Sequence, residues 1–402
     1  MSGYTEQAEA KRQHLLRFAL RIIDGLDPAE TVLAEKELID QITPAKVITL
    51  VDDLVRQEIP MERLKPGISK LLNLFHKSLS SLTQTFPQDN ILLGSLLANN
   101  RQAEVQLSSL RPLIRQLRKE PNDPALRSNI RAGLRNLLKY TSHYTVMENA
   151  IFPPLEKYWT DYRCLSVMWS LHDDIRHALK ELVTIMSQAE IELQHAFSLV
   201  GTLFFNIAAI IFREEKILFP HMLATLNESD WNNMLWQSRD LDWPFEAPAL
   251  NDHDTSLSDK VAPIPEEWLD LGSGRLSVDQ IRLLFNHLPV DITFVDEHNR
   301  VRYFSEGKKR TFPRSRAIIG RLVQNCHPLE SVAVVEEIIS AFRKGEKNQA
   351  EFWIDMPQGK VLIQYFAVRD QEGLYRGVIE VSQEIESIQK LQGERRLLDW
   401  SL

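Results

Sequence analysis

Glu148-Asn149-Ala150-Ile151-Phe152-Pro153 recurs later in the chain as Glu215-Lys216-Ile217-Leu218-Phe219-Pro220. The two stretches align on Phe-Pro, and Glu148 and Glu215 fall at the same place, four residues before the Phe. Around them, residues 88–232 read as four long helices over 90–119, 123–157, 164–190 and 193–226, broken at Pro121-Asn122-Asp123-Pro124, near Thr160-Asp161-Tyr162 and near Gln188–Glu192. Long helices with loops this short pack as antiparallel neighbours. The repeated signature on alternate helices points to a pseudo-two-fold four-helix bundle. Inward carboxylates and histidines in such a bundle are the parts of a non-haem di-iron site, which uses hard oxygen and imidazole ligands around open positions. The candidates are His143 and Glu148 on the second helix, His172 and then His177 on the third, and Glu214 and Glu215 on the fourth. Each also has a plainer reading. Glu214 and Glu215 beside Arg213 and Lys216 fit a solvated charge run. His143 after Thr141-Ser142 fits a hydrogen-bonded core histidine, and His172-Asp173 an ion-pair face. Phe152-Pro153 and Phe219-Pro220 fit helix-end packing, and Trp159, Trp169 and Trp231 fit core packing rather than an electron path.

Outward from the bundle, the 402 residues hold two to three domains at about 150 residues each. Gly 15 and Pro 19 make up about 8% of the chain, against roughly 12% on average, which favours long helices over a turn-rich all-β protein. Residues 10–85 read as short helices. Leu15, Leu16, Phe18, Ala19, Ile22 and Ile23 share one helical face, Thr43-Pro44 is a helix start, and Pro60 and Pro66-Gly67 precede a helix from Ile68 to about Leu82. His76 on that apolar helix reads as structural. Residues 233–275, with Pro244, Pro248, Pro263 and Pro265 among Asp and Ser, read as a linker. Residues 276–386 change character. Strands are expected at Val290–Val295, Arg300–Phe304, Ala350–Met356, Val361–Val368 and Tyr375–Val381, and a helix at Glu330–Lys344. That is an α+β domain with an antiparallel sheet. A last helix is expected over Glu384–Trp400.

The net charge of −8, with no strongly basic domain, argues against nucleic-acid binding. Cys164 and Cys326 stand far apart, a reducing-compartment pattern, and the first residues show no signal-peptide pattern, so a cytoplasmic protein is expected. Leu193–Phe212 holds twenty residues without Asp, Glu, Lys or Arg, long enough for a membrane span. Its Gln194, His195, Ser198, Thr202 and Asn206 favour a central bundle helix instead.

The runs His143-Tyr144 … Glu148 … Phe152-Pro153, Val167-Met168-Trp169-Ser170-Leu171-His172-Asp173-Asp174-Ile175-Arg176 and Phe212–Pro220 together resemble the hemerythrin-like (HHE cation-binding) domain. More narrowly, the chain resembles the bacterial proteins that place a helical domain of unknown function before this bundle and a PAS domain after it. Residues 10–85 resemble the preceding domain. Leu288–Asp296, Gly320–Pro328 and Ala350–Asp355 resemble the PAS domain. The resemblance implies an all-α first half, 10–85 and 86–232, a linker 233–275, an α+β PAS domain 276–386 and an exit helix 387–402. It implies non-haem iron, one or two, used to bind or sense oxygen, nitric oxide or iron. It also implies a PAS domain that takes a small ligand, dimerises with its exit helix or contacts a signalling partner. The family pattern is not reproduced everywhere. No histidine lies between His76 and His143, Met147 stands four after His143, and Ile210 stands nine before Phe219. A di-iron centre, a single-metal site and a metal-free remnant therefore all stay open. In the PAS domain Cys326-His327 is a candidate haem or ligand pair, and Lys308-Lys309-Arg310 with Arg314-Ser315-Arg316 a basic cluster for an anionic ligand or a solvated face. No kinase, cyclase, P-loop or G-x-S-x-G signature is present. The expected role is a cytosolic sensor or regulatory protein rather than an enzyme. The alternative is an iron protein that handles oxygen, nitric oxide or peroxide, or that stores or delivers iron.

Overall fold

The structure is a computed structural model that describes residues 2–26, 28–82, 85–188, 190–249, 268–307, 310–356 and 359–393. The chain forms two compact units, the first built on Met1–Leu250 and the second on Asn251–His327 with Ser331–Leu402.

The first unit begins with α1 (Ser2–Asp24), α2 (Pro28–Ala34), α3 (Lys36–Asp40), α4 (Pro44–Val55) and α5 (Met61–Ser81). Thr43 caps α4, its side chain accepting from the Lys46 amide, with Pro44 at the first helical position as expected. α5 does not start at Ile68; it runs through Pro66-Gly67. Proline removes one backbone bond there, but the face Leu64, Ile68, Leu71, Leu72, Phe75 and Leu79 is buried and holds the helix. Gly67 lets α1 close on α5, since a Cβ at that position would meet Ile23 at 2.5 Å.

Four rods follow. The first is α6 (Ile91–Leu117). The second is α7 (Pro124–Lys139), α8 (Thr141–Val146), a π-helical turn Met147–Ile151 and α9 (Phe152–Tyr158). The third is α10 (Cys164–Ile185). The fourth is α11 (Leu193–Arg213), a second π-helical turn Glu214–Leu218 and α12 (Phe219–Thr225). The sequence echo falls on the two π turns. In each, the amide of the Phe reaches back five residues, Phe152 to the Met147 carbonyl and Phe219 to the Glu214 carbonyl. A proline inside an α-helix strikes the carbonyl four residues back. The widened turn before Phe-Pro gives that ring room, so both rods continue past Pro153 and Pro220.

One hydrophobic core runs from Leu15 through to Leu241, so the helices before residue 85 share their interior with the bundle. Asp52 of α4 is wholly buried; it pairs with Arg56 at 2.7 Å and accepts from the Arg163 amide, at the start of α10, at 2.8 Å. The expected linker is ordered at its first end: α13 (Glu228–Ser238) buries Trp231, Met234 and Leu235. Beyond it, the Phe245 and Glu246 amides donate to Asn99 Oδ1 of α6. A side chain that satisfies backbone groups of a nominal linker fixes it against the bundle. Leu193–Thr225 is long and apolar enough to cross a membrane by length and composition. In this fold its stripe Ala196, Val200, Leu203, Ile207 and Ile210 is buried, and α11 lies against α10 and α6.

In the second unit β1 (Trp268–Asp270) and β2 (Arg275–Ser277) form a hairpin across the end of the expected linker, and Ser277 with Gln280 makes a capping box for α14 (Val278–His287). The five-stranded antiparallel sheet has the order β4-β3-β7-β6-β5, from β3 (Asp291–Asp296), β4 (Val301–Phe304), β5 (Gln349–Met356), β6 (Gly359–Arg369) and β7 (Tyr375–Glu384). α15 (Leu329–Lys344) sends Ile339 and Phe342 into a core with Val295, Val301, Phe304, Ile318 and Val378. Gly377 is required where β7 passes β3: its φ is 139°, and a Cβ would meet the Val295 carbonyl at 2.1 Å. The helix expected from Glu384 is instead strand to Glu384, with α16 (Glu386–Gln389) after it. The Ile385 amide still bonds to the Lys360 carbonyl, which carries the β6–β7 pairing one residue further. The rest of the expected exit helix, from 394 on, and Pro263, Pro265, Lys308 and Lys309 lie outside the described residues.

Candidate functional site

The bundle interior is polar around Glu148 of the first π turn and Glu214 of the second. His143, Glu148, His172 and Glu214 are all buried, at 0%, 4%, 0% and 0% exposure. They form two pairs. His143 Nε2 lies 3.0 and 3.2 Å from the Glu214 oxygens. His172 Nδ1 lies 2.9 Å from Glu148 Oε1. A carboxylate only accepts, so each imidazole presents its N–H on that side. The opposite ring atoms, His143 Nδ1 and His172 Nε2, are buried and without a hydrogen bond.

Tyr144 stands between the pairs. Its ring stacks on His172 at 4.1 Å and 7° and meets His143 edge-on at 6.0 Å. Tyr140 stacks on His143 at 5.1 Å and donates to Asn100 Oδ1 at 2.6 Å. Asn100 then donates to Glu214 Oε2 at 2.9 Å and to Glu215 Oε1 at 3.4 Å. Burial, with Glu214 next, pushes both phenols well up, so both stay protonated; Tyr140 donates to Asn100, while the Tyr144 hydroxyl is buried without a hydrogen bond. Thus the first rod, which brings no imidazole, contributes an amide to the fourth.

The third rod brings a cation. Arg176 lies one helical turn after His172, on the same face. Its guanidinium grips Glu148 with two bonds, Nη1 to Oε1 at 2.9 Å and Nη2 to Oε2 at 2.8 Å. It also donates to Asp173 at 2.8 Å and lies over the Tyr144 ring at 5.7 Å. Burial pushes the Glu148 carboxyl up, but Arg176 and His172 outweigh it and hold it below its usual range. Burial lowers His172 more than Glu148 raises it, so the imidazole stays neutral and the ion pair is Arg176 with Glu148.

The five expected metal ligands therefore separate. Glu148 with His172 and Glu214 with His143 form distinct pairs. Glu215, the echo partner of Glu148, is only half-buried; the inward carboxylate of the fourth rod is Glu214, one residue earlier. His177 is exposed and bonds to the Asp173 carbonyl, so it faces away from the site. Met147 and Ile210 are fully buried apolar side chains. Among the described residues no three His, Cys, Asp or Glu side chains converge as metal ligands. A di-iron centre does not fit this set: a guanidinium holds both oxygens of Glu148, and a fixed positive charge opposes a metal cation beside it. Arg176 and Tyr140 have no role in the ligand set expected from the sequence. The available signal was a basic residue four after a candidate ligand.

In the second unit Cys326 is buried in the core among Val323 and Phe342, at the end of the short helical turn Val323–Cys326. Burial, with Arg314 and Arg321, holds the His327 imidazole down to about 4. Arg316 forms an exposed pair with Glu306 at 3.0 Å.

Both members of the His172–Glu148 pair link stability to pH in the same direction. The unfolded chain protonates its histidine near 6.5 and its carboxyl near 4.5, while the folded values lie lower. The stability they contribute is complete above about pH 6.5 and is lost as pH falls through the folded values. Glu215 and Asp173, both raised chiefly by burial, act in the opposite direction. The contribution of His172 is therefore read as the difference between wild type and His172→Asn in urea midpoints from pH 7.5 to 4.5. Wild type should lose more stability than the variant between pH 6.5 and 5; parallel curves would show that the imidazole is not held neutral.

Comparison with known proteins agrees with this architecture. Residues 96–222 match the profile of the hemerythrin HHE cation binding domain, and residues 281–386 that of a PAS domain. No curated protein matches the chain. A crystal structure of a C-terminal domain from Streptococcus mutans is 32% identical over 32% of this chain and 98% of that one, with a TM-score of 0.31. The crystal structure of a PAS domain from Colwellia psychrerythraea is 16% identical over 27% of this chain and 97% of that one, with a TM-score of 0.22. Behind an N-terminal helical region, the chain joins a hemerythrin HHE cation-binding domain to a PAS domain.

Proposed function

We propose that this is a cytoplasmic sensor or regulatory protein whose hemerythrin-type bundle carries its cation as a side chain, Arg176, in place of iron. The observation that supports this is the two-bond clasp of Arg176 on Glu148, with His172 on the same carboxylate. In a metal-binding bundle the buried carboxylates are neutralised by the metal. Here Glu148 is neutralised by a guanidinium and Glu214 is held by His143 and Asn100. Such a network fixes the helices without redox chemistry, which favours a regulatory role over an iron enzyme. The bundle is then a signalling body, and the PAS domain takes the small ligand or the partner.

The second reading, a non-haem iron protein, rests on the two buried ring nitrogens without hydrogen bonds. Metal content separates the two. The full chain, purified without chelator from iron-supplemented cells, should hold well under one iron per chain. Arg176→His would place an imidazole one turn after His172 and beside Glu148, giving three ligands. That variant should bind one Co(II) and show its visible absorption, while wild type does not. One or two irons in wild type, or Co(II) uptake equal in both proteins, would overturn the internal-cation reading.

We also propose a homodimer through the PAS domain. α14 buries none of its residues and exposes Leu283, Leu284 and Phe285. Apolar side chains grouped on one solvent-facing helix mark an association surface. Sedimentation of the full chain should give a dimer that Leu284→Glu with Phe285→Glu converts to monomer. A wild-type monomer at tens of micromolar would contradict it.

A further inference from the structure

Arg213 and Glu214 are neighbours that face opposite ways. Glu214 enters the bundle toward His143. Arg213 turns toward the helices that precede the bundle and is buried, at 5% exposure. Its one hydrogen bond runs from Nη2 to Ser69 Oγ at 3.2 Å. Nε and Nη1 are buried with no acceptor. No carboxylate offsets the burial, which brings the guanidinium down to about 10, so it remains charged at neutral pH.

Beside it is a cavity of about 30 Å³ bounded by α4, α5, α10 and the second π turn, lined by Arg213, Cys164, Val51, Ile68, Met168 and Leu218. All of these belong to the first unit. The lining is apolar apart from the guanidinium and the thiol. Burial pushes the Cys164 thiol up, so it stays neutral, and its S–H faces the Asp161 and Tyr162 carbonyls. A buried cation in apolar surroundings needs a counter-charge. By contrast, the buried carboxylates Asp52 and Glu148 of this unit each meet a guanidinium, Arg56 and Arg176.

We propose that this cavity is an anion site and that its ligand is a single small monovalent anion of halide size, chloride being the abundant one. The size follows from the volume, since a water-sized body needs about 10–15 Å³ on this measure. A phosphate or a nucleotide is too large. The apolar lining selects an anion that sheds water easily, so bromide binds at least as well as chloride and fluoride or sulfate poorly. The site joins the helices preceding the bundle to the bundle, so occupancy stabilises the whole first unit. It does not depend on whether the bundle holds metal.

The test uses the full chain, dialysed into sulfate buffer and titrated with sodium bromide at constant ionic strength. The melting temperature should rise saturably, and Arg213→Met should abolish the rise. Crystals soaked in bromide should show one anomalous peak beside Arg213 Nε and Nη1, a readout that holds even where the variant fails to fold. A bromide response unchanged in Arg213→Met overturns the site. So does a wild type with no saturable response, or bromide-soaked crystals with only water beside Arg213.

Discussion

The structure turns on one buried contact, the guanidinium of Arg176 against the carboxylate of Glu148. Four helices that bring carboxylates into a low-dielectric interior face a large desolvation cost unless each charge is matched. Arg176 supplies that match for Glu148, and its planar fork meets both oxygens at once. The neighbours follow from it. His172 can remain neutral because the arginine carries the charge. Tyr144 covers the imidazole with its ring and presents its face to the guanidinium. The other half of the interior reaches balance by a separate route, through Tyr140, Asn100, Glu214 and His143.

The π turns explain why the carboxylates are inside. Phe152-Pro153 and Phe219-Pro220 each require a widened turn, and that turn shifts which residue of the preceding segment faces the core. In the second rod the inward residue is Glu148. In the fourth it is Glu214, one place before the residue that the repeat aligns. The repeat is thus a backbone signature first and a ligand signature second.

Much of the fold was legible in the sequence. The four rods, the antiparallel sheet and the Thr43 helix start follow from periodicity and capping, which are local. Pro66-Gly67 misled because tertiary burial carried α5 through a local breaker, and Gly67 served close helix approach rather than a turn. Residues 233–249 read as linker because the pinning group, Asn99, is distant in sequence. At the site, His143, Glu148, His172 and Glu214 were found as types. Their pairing was not, because it depends on which carboxylate meets which ring across rods. Arg176 was legible by its spacing from His172, yet a lone arginine in a ligand run reads as surface charge until its partner is known.

The central claim is that the cation at the heart of the bundle is a side chain. Diffraction at the iron absorption edge tests it most directly, on crystals of the full chain from iron-supplemented cells. The account predicts density for the Arg176 guanidinium on Glu148 and no anomalous peak in the bundle. An iron peak ligated by His143 or His172, with Arg176 swung away from Glu148, would contradict it.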